Sequence, residues 1–306
     1  YYLTNNDPEA AIVDLDNAND LMPESPEVYI TYANAYLALD DKKNALEAAE
    51  KAYSLDITNL SVYKLLGKLH IDNGQYQRAL EALDLYVIYE NEDDQAFAML
   101  GRAYFESGDY KSATENFDKA EAINRNGLRR FYLYKGLASL ELNDLDRAVE
   151  DLEKAFGVDE TSFEVNLGLL RAYYLQEKFG SAFLKAEALK SLAETDEETA
   201  LMLYWHALVQ EKRGEAKGAI KDWKNLLAMD EDVMTPEMRA EAEQHLKSIV
   251  TPTNTPKGGA ATPTPKDGTT TPTPKGGTRT PTPKGGTTPP TPKGGTATST
   301  PTATPT

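Results

Sequence analysis

The sequence AFAMLGRAYFESGDYKSATENFDKAEAI, residues 96–123, contains two short helical patterns separated by a turn. The first has the i, i+3, i+4, i+7 spacing of one helix face and comprises Phe97, Leu100, Gly101 and Tyr104. The second follows the turn signal Gly108-Asp109 and comprises Ala113, Phe117 and Ala120. The segment therefore predicts one hairpin of two antiparallel helices.

The same pattern recurs along most of the chain with a period close to 34 residues. Its marker is an alanine in the second helix of each hairpin, at Ala11, Ala45, Ala79, Ala113, Ala148, Ala182 and Ala219, with spacings of 34, 34, 34, 35, 34 and 37 residues. Twelve residues before six of them stand mostly small residues, at Ala33, Gly67, Gly101, Gly136, Leu170 and Ala207. Such a period predicts stacked two-helix units in which each unit packs only on its neighbours.

These units resemble the tetratricopeptide repeat, which has an aromatic residue, Leu-Gly and Tyr in its first helix and Ala and Phe in its second. Residues 97–120 match that pattern almost completely, and the unit that begins near Tyr63 matches nearly as well. The units at 163–199 and 200–234 keep less of it. The resemblance implies an all-α fold, a helical-hairpin solenoid that coils as a superhelix, over residues 1–230.

Repeat boundaries follow from this register. We expect a truncated first repeat at 1–25, then units at 26–59, 60–93, 94–128, 129–162, 163–199 and 200–234. Because Tyr1 and Tyr2 align with the end of a first helix, we also expect residues upstream of this sequence. Thr235, Pro236 and Glu237 form a helix-start signal. They predict a capping helix at 235–250 whose inward side chains are Met238, Ala242, Leu246 and Ile249.

A second, shorter repeat occupies residues 251–306. Its lysines recur every nine residues, at Lys257, Lys266, Lys275, Lys284 and Lys293, in copies such as PTPKGGTRT. The segment holds no apolar residue larger than Ala except Pro, so it cannot build a core. Alternating Thr and Pro favour an extended polyproline II-like or disordered tail. The composition is typical either of an O-glycosylated stalk or of an unmodified spacer, and the glycosylation candidates are Thr264, Thr273, Thr282 and Thr291.

The charge distribution excludes some classes of partner. The net charge of −17 divides into +5 for residues 251–306 and −22 for residues 1–250. An acidic body argues against nucleic acid and against anionic lipid headgroups as partners. No apolar run approaches the length of a membrane helix, so we predict no membrane insertion. With no Cys, disulfides and thiolate chemistry are excluded.

Residues for catalysis or metal binding are sparse. His70 occupies a position that is filled by Tyr36, Tyr104 and Tyr173 in other units, so we interpret it as a core ring with one hydrogen bond. Acidic runs at 90–94 and 230–232 lack the spaced ligands of a calcium loop. We therefore predict no enzyme activity, no cofactor and no metal site.

The resemblance implies a binding groove lined by the first helices, which commonly accepts an extended peptide. The corresponding residues are Asn34, Lys68, Arg102, Phe105, Leu137, Leu140, Arg171 and Tyr174. One family subtype clamps a C-terminal carboxylate. We do not predict that subtype here, because Ile30, Leu65, Gln95 and Met99 replace its polar residues.

Two functions fit these features. The first is a structural subunit of an extracellular or cell-surface assembly, in which copies of a bacterial protein join head to tail as a filament or layer and the tail lysines link neighbours. The second is a monomeric adaptor that binds another protein in its groove, with the tail as a spacer. The partner is accordingly either the chain itself or another protein, with covalent glycans on the tail in the first case.

Overall fold

The computed structural model describes residues 7–250, in which all regular structure is helical. The α-helices of this part are α1 Pro8–Leu21, α2 Pro26–Ala38, α3 Lys42–Leu55, α4 Leu60–Asp72, α5 Tyr76–Tyr89, α6 Asp94–Glu106, α7 Tyr110–Ile123, α8 Tyr132–Glu141, α9 Leu145–Phe156, α10 Phe163–Leu175, α11 Phe179–Leu192, α12 Asp196–Lys212, α13 Ala216–Leu227 and α14 Pro236–Val250. Short 3₁₀ turns lie at Arg129–Phe131 and Glu231–Val233. The even-numbered helices from α2 to α12 are the first helices of six hairpins.

Short polar side chains define where many of these helices begin. Asp109, for example, accepts a hydrogen bond from the backbone N–H of Ser112 at 3.0 Å at the start of α7. Thr195 and Glu198 form a reciprocal capping box at the start of α12. Such caps satisfy backbone donors that have no partner inside the helix. They fix the register of each hairpin.

Each first helix ends in the same sharp turn. One residue there adopts a left-handed conformation, and these residues are Asp40, Gly74, Gly108, Asn143, Glu177 and Gly214. The next N–H then bonds back to a carbonyl five residues earlier, as from Asp109 to Tyr104 at 3.0 Å. This pattern ends the helix and reverses the chain. Consecutive helices therefore run antiparallel and pack as the pairs α2–α3, α4–α5, α6–α7, α8–α9, α10–α11 and α12–α13.

Glycines lie where the two helices of a hairpin approach each other. A Cβ placed on Gly101 would lie 2.7 Å from Cδ1 of Phe117, and one placed on Gly136 would lie 2.6 Å from Cγ of Leu152. Phe117 and Leu152 are both fully buried. Glycine thus lets a large side chain of the second helix pack directly against the backbone of the first.

The hydrophobic core runs between the paired helices from one repeat to the next. At its C-terminal end, Trp223 and Leu226 of α13 are fully buried. Helix α14 packs there with Ala242 buried and with Met238, Leu246 and Ile249 against the same cluster. Side chains that the last hairpin would otherwise expose are covered in this way.

Carboxylates also join neighbouring repeats at regular intervals. Each lies five residues after one of the periodic alanines, and the set is Asp16, Glu50, Asp84, Asp118, Glu153 and Glu187. Asp16 accepts from the Tyr32 hydroxyl at 2.6 Å, and Glu153 accepts from the Tyr173 hydroxyl at 2.7 Å. Each of these two bonds connects a second helix to the first helix of the next repeat.

Lys135 is a buried member of this system. It occupies the core position that Leu66, Leu100 and Leu169 fill in other repeats, and its side chain is 4% exposed. Its ammonium lies 3.1 Å from Asp118 and 3.8 Å from the buried Asp151, and it also bonds to Glu121. A cation can be tolerated at this depth because carboxylates of α7 and α9 surround it.

Candidate binding groove

Two adjoining cavities open on the face formed by the first helices. They have volumes of about 430 and 300 Å³ and share Lys64, Lys68 and Met99 as lining residues. Together they extend from α2, across α4 and α6, to the start of α8. A surface of this length suits an extended chain better than a small compact molecule.

The structure brings three of the predicted groove residues together. Asn34 and Lys68 line the smaller cavity, and Lys68 and Arg102 line the larger one. Asn34 and Lys68 are exposed, whereas Arg102 is half-buried. These three positions therefore line two adjoining cavities.

The other predicted groove residues lie elsewhere. Phe105 packs against Tyr134, with ring centroids 5.5 Å apart, beside the larger cavity. Leu137 is half-buried on α8, outside the lining of either cavity. Arg171 donates to Glu141 at 2.8 Å, and Tyr174 packs edge-on against Trp205 at 5.7 Å.

Leu140 must be removed from the candidate surface. Its side chain is 4% exposed and belongs to the same core cluster as Val165 and Leu169 of α10. Helix α10 packs on α8, so an apolar side chain at this register gains more from contact with α10 than from facing solvent. The repeat register alone placed it in the groove.

One of the groove lysines is already neutralised. Lys64 forms an ion pair with Asp93, and the Tyr86 hydroxyl donates to the same carboxylate at 2.8 Å. Burial raises the pKa of Asp93, but the bonds from Lys64, Tyr86 and the Ala96 N–H outweigh it and the pKa is lowered overall. Asp93 also caps α6 by accepting from the N–H groups of Gln95 and Ala96. This acidic loop thus holds α4, α5 and α6 in place.

Three further cations line the larger cavity, and two of them, Lys68 and Arg130, form no ion pair in the described part of the chain. Lys68 makes no ion pair or hydrogen bond within residues 7–250. Arg102 lies over the ring of Tyr134 at 5.2 Å, and its Nε is 3.9 Å from Glu106 with no hydrogen bond. Arg130 donates to the neutral amide of Gln95. Among the described residues that line this cavity, Asp72 is the sole carboxylate.

The sequence prediction missed Lys64, Arg130 and Tyr134. Lys64 could have been found, because it precedes Lys68 by four residues and so shares its helix face. Arg130 lies in the 3₁₀ turn before α8, where the repeat spacing is 35 residues instead of 34. That turn departs from the repeat pattern, so the register could not indicate where its side chains would lie.

The three histidines each contact side chains of the repeats or of α14. His70 is buried and its Nδ1 is 2.8 Å from Oε1 of Gln75, as predicted, and burial lowers its pKa. His206 is fully buried, with Asp222 at 2.6 Å from one ring nitrogen and Glu187 at 2.8 Å from the other. His245 stacks on Trp223 at 5.3 Å.

Other features of the described part bear on the sequence predictions. Within residues 7–250, no cluster of three His or carboxylate side chains is arranged to hold a metal ion. No helix of that region has the length and apolar character that crossing a bilayer requires. The tail and its predicted contact and glycosylation residues lie outside the described residues; these are Lys257, Lys266, Lys275, Lys284, Lys293, Thr264, Thr273, Thr282 and Thr291.

Two family models match parts of the chain. The model for the tetratricopeptide repeat matches residues 26–57. The model for subunit 3 of the anaphase-promoting complex, or cyclosome, matches residues 72–155. No curated protein sequence matches the chain.

Solved structures with the same fold come from several proteins. A tetratricopeptide repeat protein from Parabacteroides merdae is 18% identical, with 82% of this chain and 95% of that one covered and a TM-score of 0.51. PilF of Pseudomonas aeruginosa is 17% identical, with 72% and 98% covered and a TM-score of 0.54. YrrB, a tetratricopeptide repeat protein with an unusual peptide-binding site, is 19% identical, with 62% and 96% covered and a TM-score of 0.52. Identities this low establish the fold alone.

Proposed function

Because this chain is a tetratricopeptide repeat protein, we propose that it is a non-catalytic interaction protein whose groove holds an extended segment of a partner protein. The observation that carries the proposal is the pair of joined cavities across α2, α4, α6 and the start of α8. YrrB has a peptide-binding site and so gives a precedent for this use of the fold.

The groove is suited to a peptide in its chemistry as well as its length. Its lining includes the half-buried side chains of Met99 and Tyr134 beside polar groups. Apolar surface supplies binding energy, and fixed polar groups select among ligands. The framework beneath it is rigid, because Asp93 ties three helices together at its edge.

A pair of matched substitutions tests this proposal. Peptides are first selected on the full chain from a library of short random sequences. Met99 lines both cavities, so Met99→Trp fills the groove and should weaken binding of the selected peptides at least tenfold. Leu184 lies on α11 and is 70% exposed, so Leu184→Trp should leave binding unchanged. Equal effects of the two changes, or failure to select any peptide, would refute a groove function.

A second candidate is self-assembly into an extracellular filament or surface layer, with copies linked by glycosylated tails. It is supported by the opposite net charges of residues 1–250 and 251–306. Exposed apolar side chains on and beside α1, at Leu21 and Met22, also favour a contact there. Light scattering of the native protein tests it: the full chain should form large particles, and a chain that ends at Val250 should not. An intact mass equal to that of the bare chain would exclude the glycans.

A further inference from the structure

We propose that the larger cavity selects an extended peptide in which an acidic residue and an apolar residue stand two positions apart. This inference rests on the proposed function and adds the chemistry of the ligand. It follows from a local reversal of charge in a protein whose residues 1–250 carry −22.

Both groove cavities are lined by more cations than carboxylates, and the larger cavity holds more cations than the smaller one. The cations of the larger cavity come from three consecutive repeats and are Lys64, Lys68, Arg102 and Arg130, whereas Asp72 is the sole carboxylate among its described lining residues. The cavity keeps an excess of positive charge when carboxylates just outside its lining are counted. Asp93 neutralises Lys64, and Glu106 lies 3.9 Å from Arg102. Lys68 and Arg130 have no carboxylate within ion-pair distance in the described part of the chain.

The arginines are already positioned for an anionic group. The guanidinium of Arg102 lies 5.2 Å from the ring centroid of Tyr134, and that of Arg130 lies 5.3 Å from the centroid of Phe131. Stacking on an aromatic ring limits the motion of a guanidinium but leaves its edge free to donate. A carboxylate that binds either guanidinium therefore loses less entropy than one that must order a free arginine, and Arg130 is held further by its bond to Gln95.

The apolar half of the specificity comes from the surfaces between these cations. Met99 and Tyr134 are both half-buried and lie beside Lys68 and Arg102 in the same lining. An acidic side chain at the cations would place the residue two positions along an extended peptide over these side chains, because alternate side chains share a face. The tail of this chain is an unsuitable occupant, because residues 251–306 carry +5 and would be repelled.

The peptides selected on the full chain test the inference by their composition. We expect Asp or Glu two positions from an apolar residue to be enriched in them. Gln in place of the acid should weaken binding at least tenfold, which is about 1.4 kcal/mol. Lys68→Glu should cause a similar loss, because Lys68 is exposed and has no other partner whose loss could unfold the described part of the chain. Lys111→Glu on α7 makes the same charge change at a side chain 79% exposed, and it should have little effect.

The outcomes separate this inference from the proposed function. Groove-binding peptides without acidic enrichment, or equal losses for Lys68→Glu and Lys111→Glu, would overturn the acidic specificity and leave the groove function standing. Peptide binding that is lost in Met99→Trp but kept in Lys68→Glu would also overturn the acidic specificity and leave the groove function standing. A single-stranded oligonucleotide that binds as tightly as the selected peptides would show that the site attracts any polyanion, and it would also overturn the inference.

Discussion

The close packing of Gly101 against Phe117 makes a quantitative prediction about stability. A Cβ on Gly101 would lie 2.7 Å from Cδ1 and Cε1 of Phe117. Carbon atoms in contact are normally about 3.5 to 4.0 Å apart, so the ring would have to move by roughly 1 Å for a single methyl group. Phe117 is fully buried and packs on Phe131 at 6.2 Å, which resists that movement.

The expected loss follows from two opposing contributions to Gly101→Leu. Overpacking costs about 1 to 3 kcal/mol, and the better helix propensity of Leu returns about 0.8 kcal/mol. We therefore expect a net loss of about 0.2 to 2.2 kcal/mol in the free energy of unfolding. Phe117→Ala should cost about 3 to 5 kcal/mol by itself, because it leaves a cavity.

The double variant distinguishes this contact from a general loss of helix stability. Phe117→Ala makes space for the leucine side chain introduced at position 101. The double variant Gly101→Leu, Phe117→Ala should therefore lose less free energy of unfolding than the two single losses add up to, by about 1 kcal/mol or more. Urea unfolding of the full chain, followed by far-UV circular dichroism, measures each free energy. Gly180→Ala on α11 is the control: a Cβ there meets nothing within 4 Å, so stability should rise by up to about 1 kcal/mol. Additive losses, or no loss for Gly101→Leu, would refute the packing argument.

Three further predictions concern charge and the turns. Lys135→Leu should lower the free energy of unfolding by about 3 kcal/mol, because it leaves Asp151 buried without one of its cations. The double variant Lys135→Leu, Asp151→Leu should recover most of that loss in urea unfolding, and equal losses for the single and the double variant would contradict this. Glu177 has a φ of 59°, so Glu177→Gly should stabilise the chain by about 1 kcal/mol, and a fall in the urea midpoint would count against the turn assignment. Burial and the bond to Glu153 raise the pKa of Tyr173 to about 12, above its unfolded value of about 10. The stability that this shift contributes is therefore complete below about pH 10 and lost as pH rises from about 10 to 12, so Tyr173→Phe should lose less stability than wild type over that interval.

The helical repeat could be predicted because several independent features share one period. The periodic alanines, the small residues twelve positions earlier and the glycine of the turn in residues 96–123 all indicate the same hairpin. The structure confirms the all-α solenoid. Local propensity and tertiary packing agree in such repeats, so that sequence register is enough to find the fold.

Side-chain partners were harder to predict than helices. The carboxylate five residues after each alanine is visible in the sequence, but its partner changes from Tyr32 to Lys135 to His206 along the chain. Each partner lies on the next repeat, so the pairing depends on how two units stack. Leu140 shows the same limit, since it lies in a core cluster that includes residues of the next repeat.

Site-specific crosslinking is the most direct test of a groove that binds an extended partner. A photoreactive residue replaces either Met99, in the groove, or Leu184, on the exposed face of α11, in the full chain within its native cells. We expect only position 99 to crosslink to a partner segment. An excess of a selected peptide should prevent this crosslink, and Lys68→Glu should reduce its yield. Crosslinks of equal yield from both positions, or crosslinks at position 99 that neither the peptide nor Lys68→Glu reduces, would contradict a binding role for the groove.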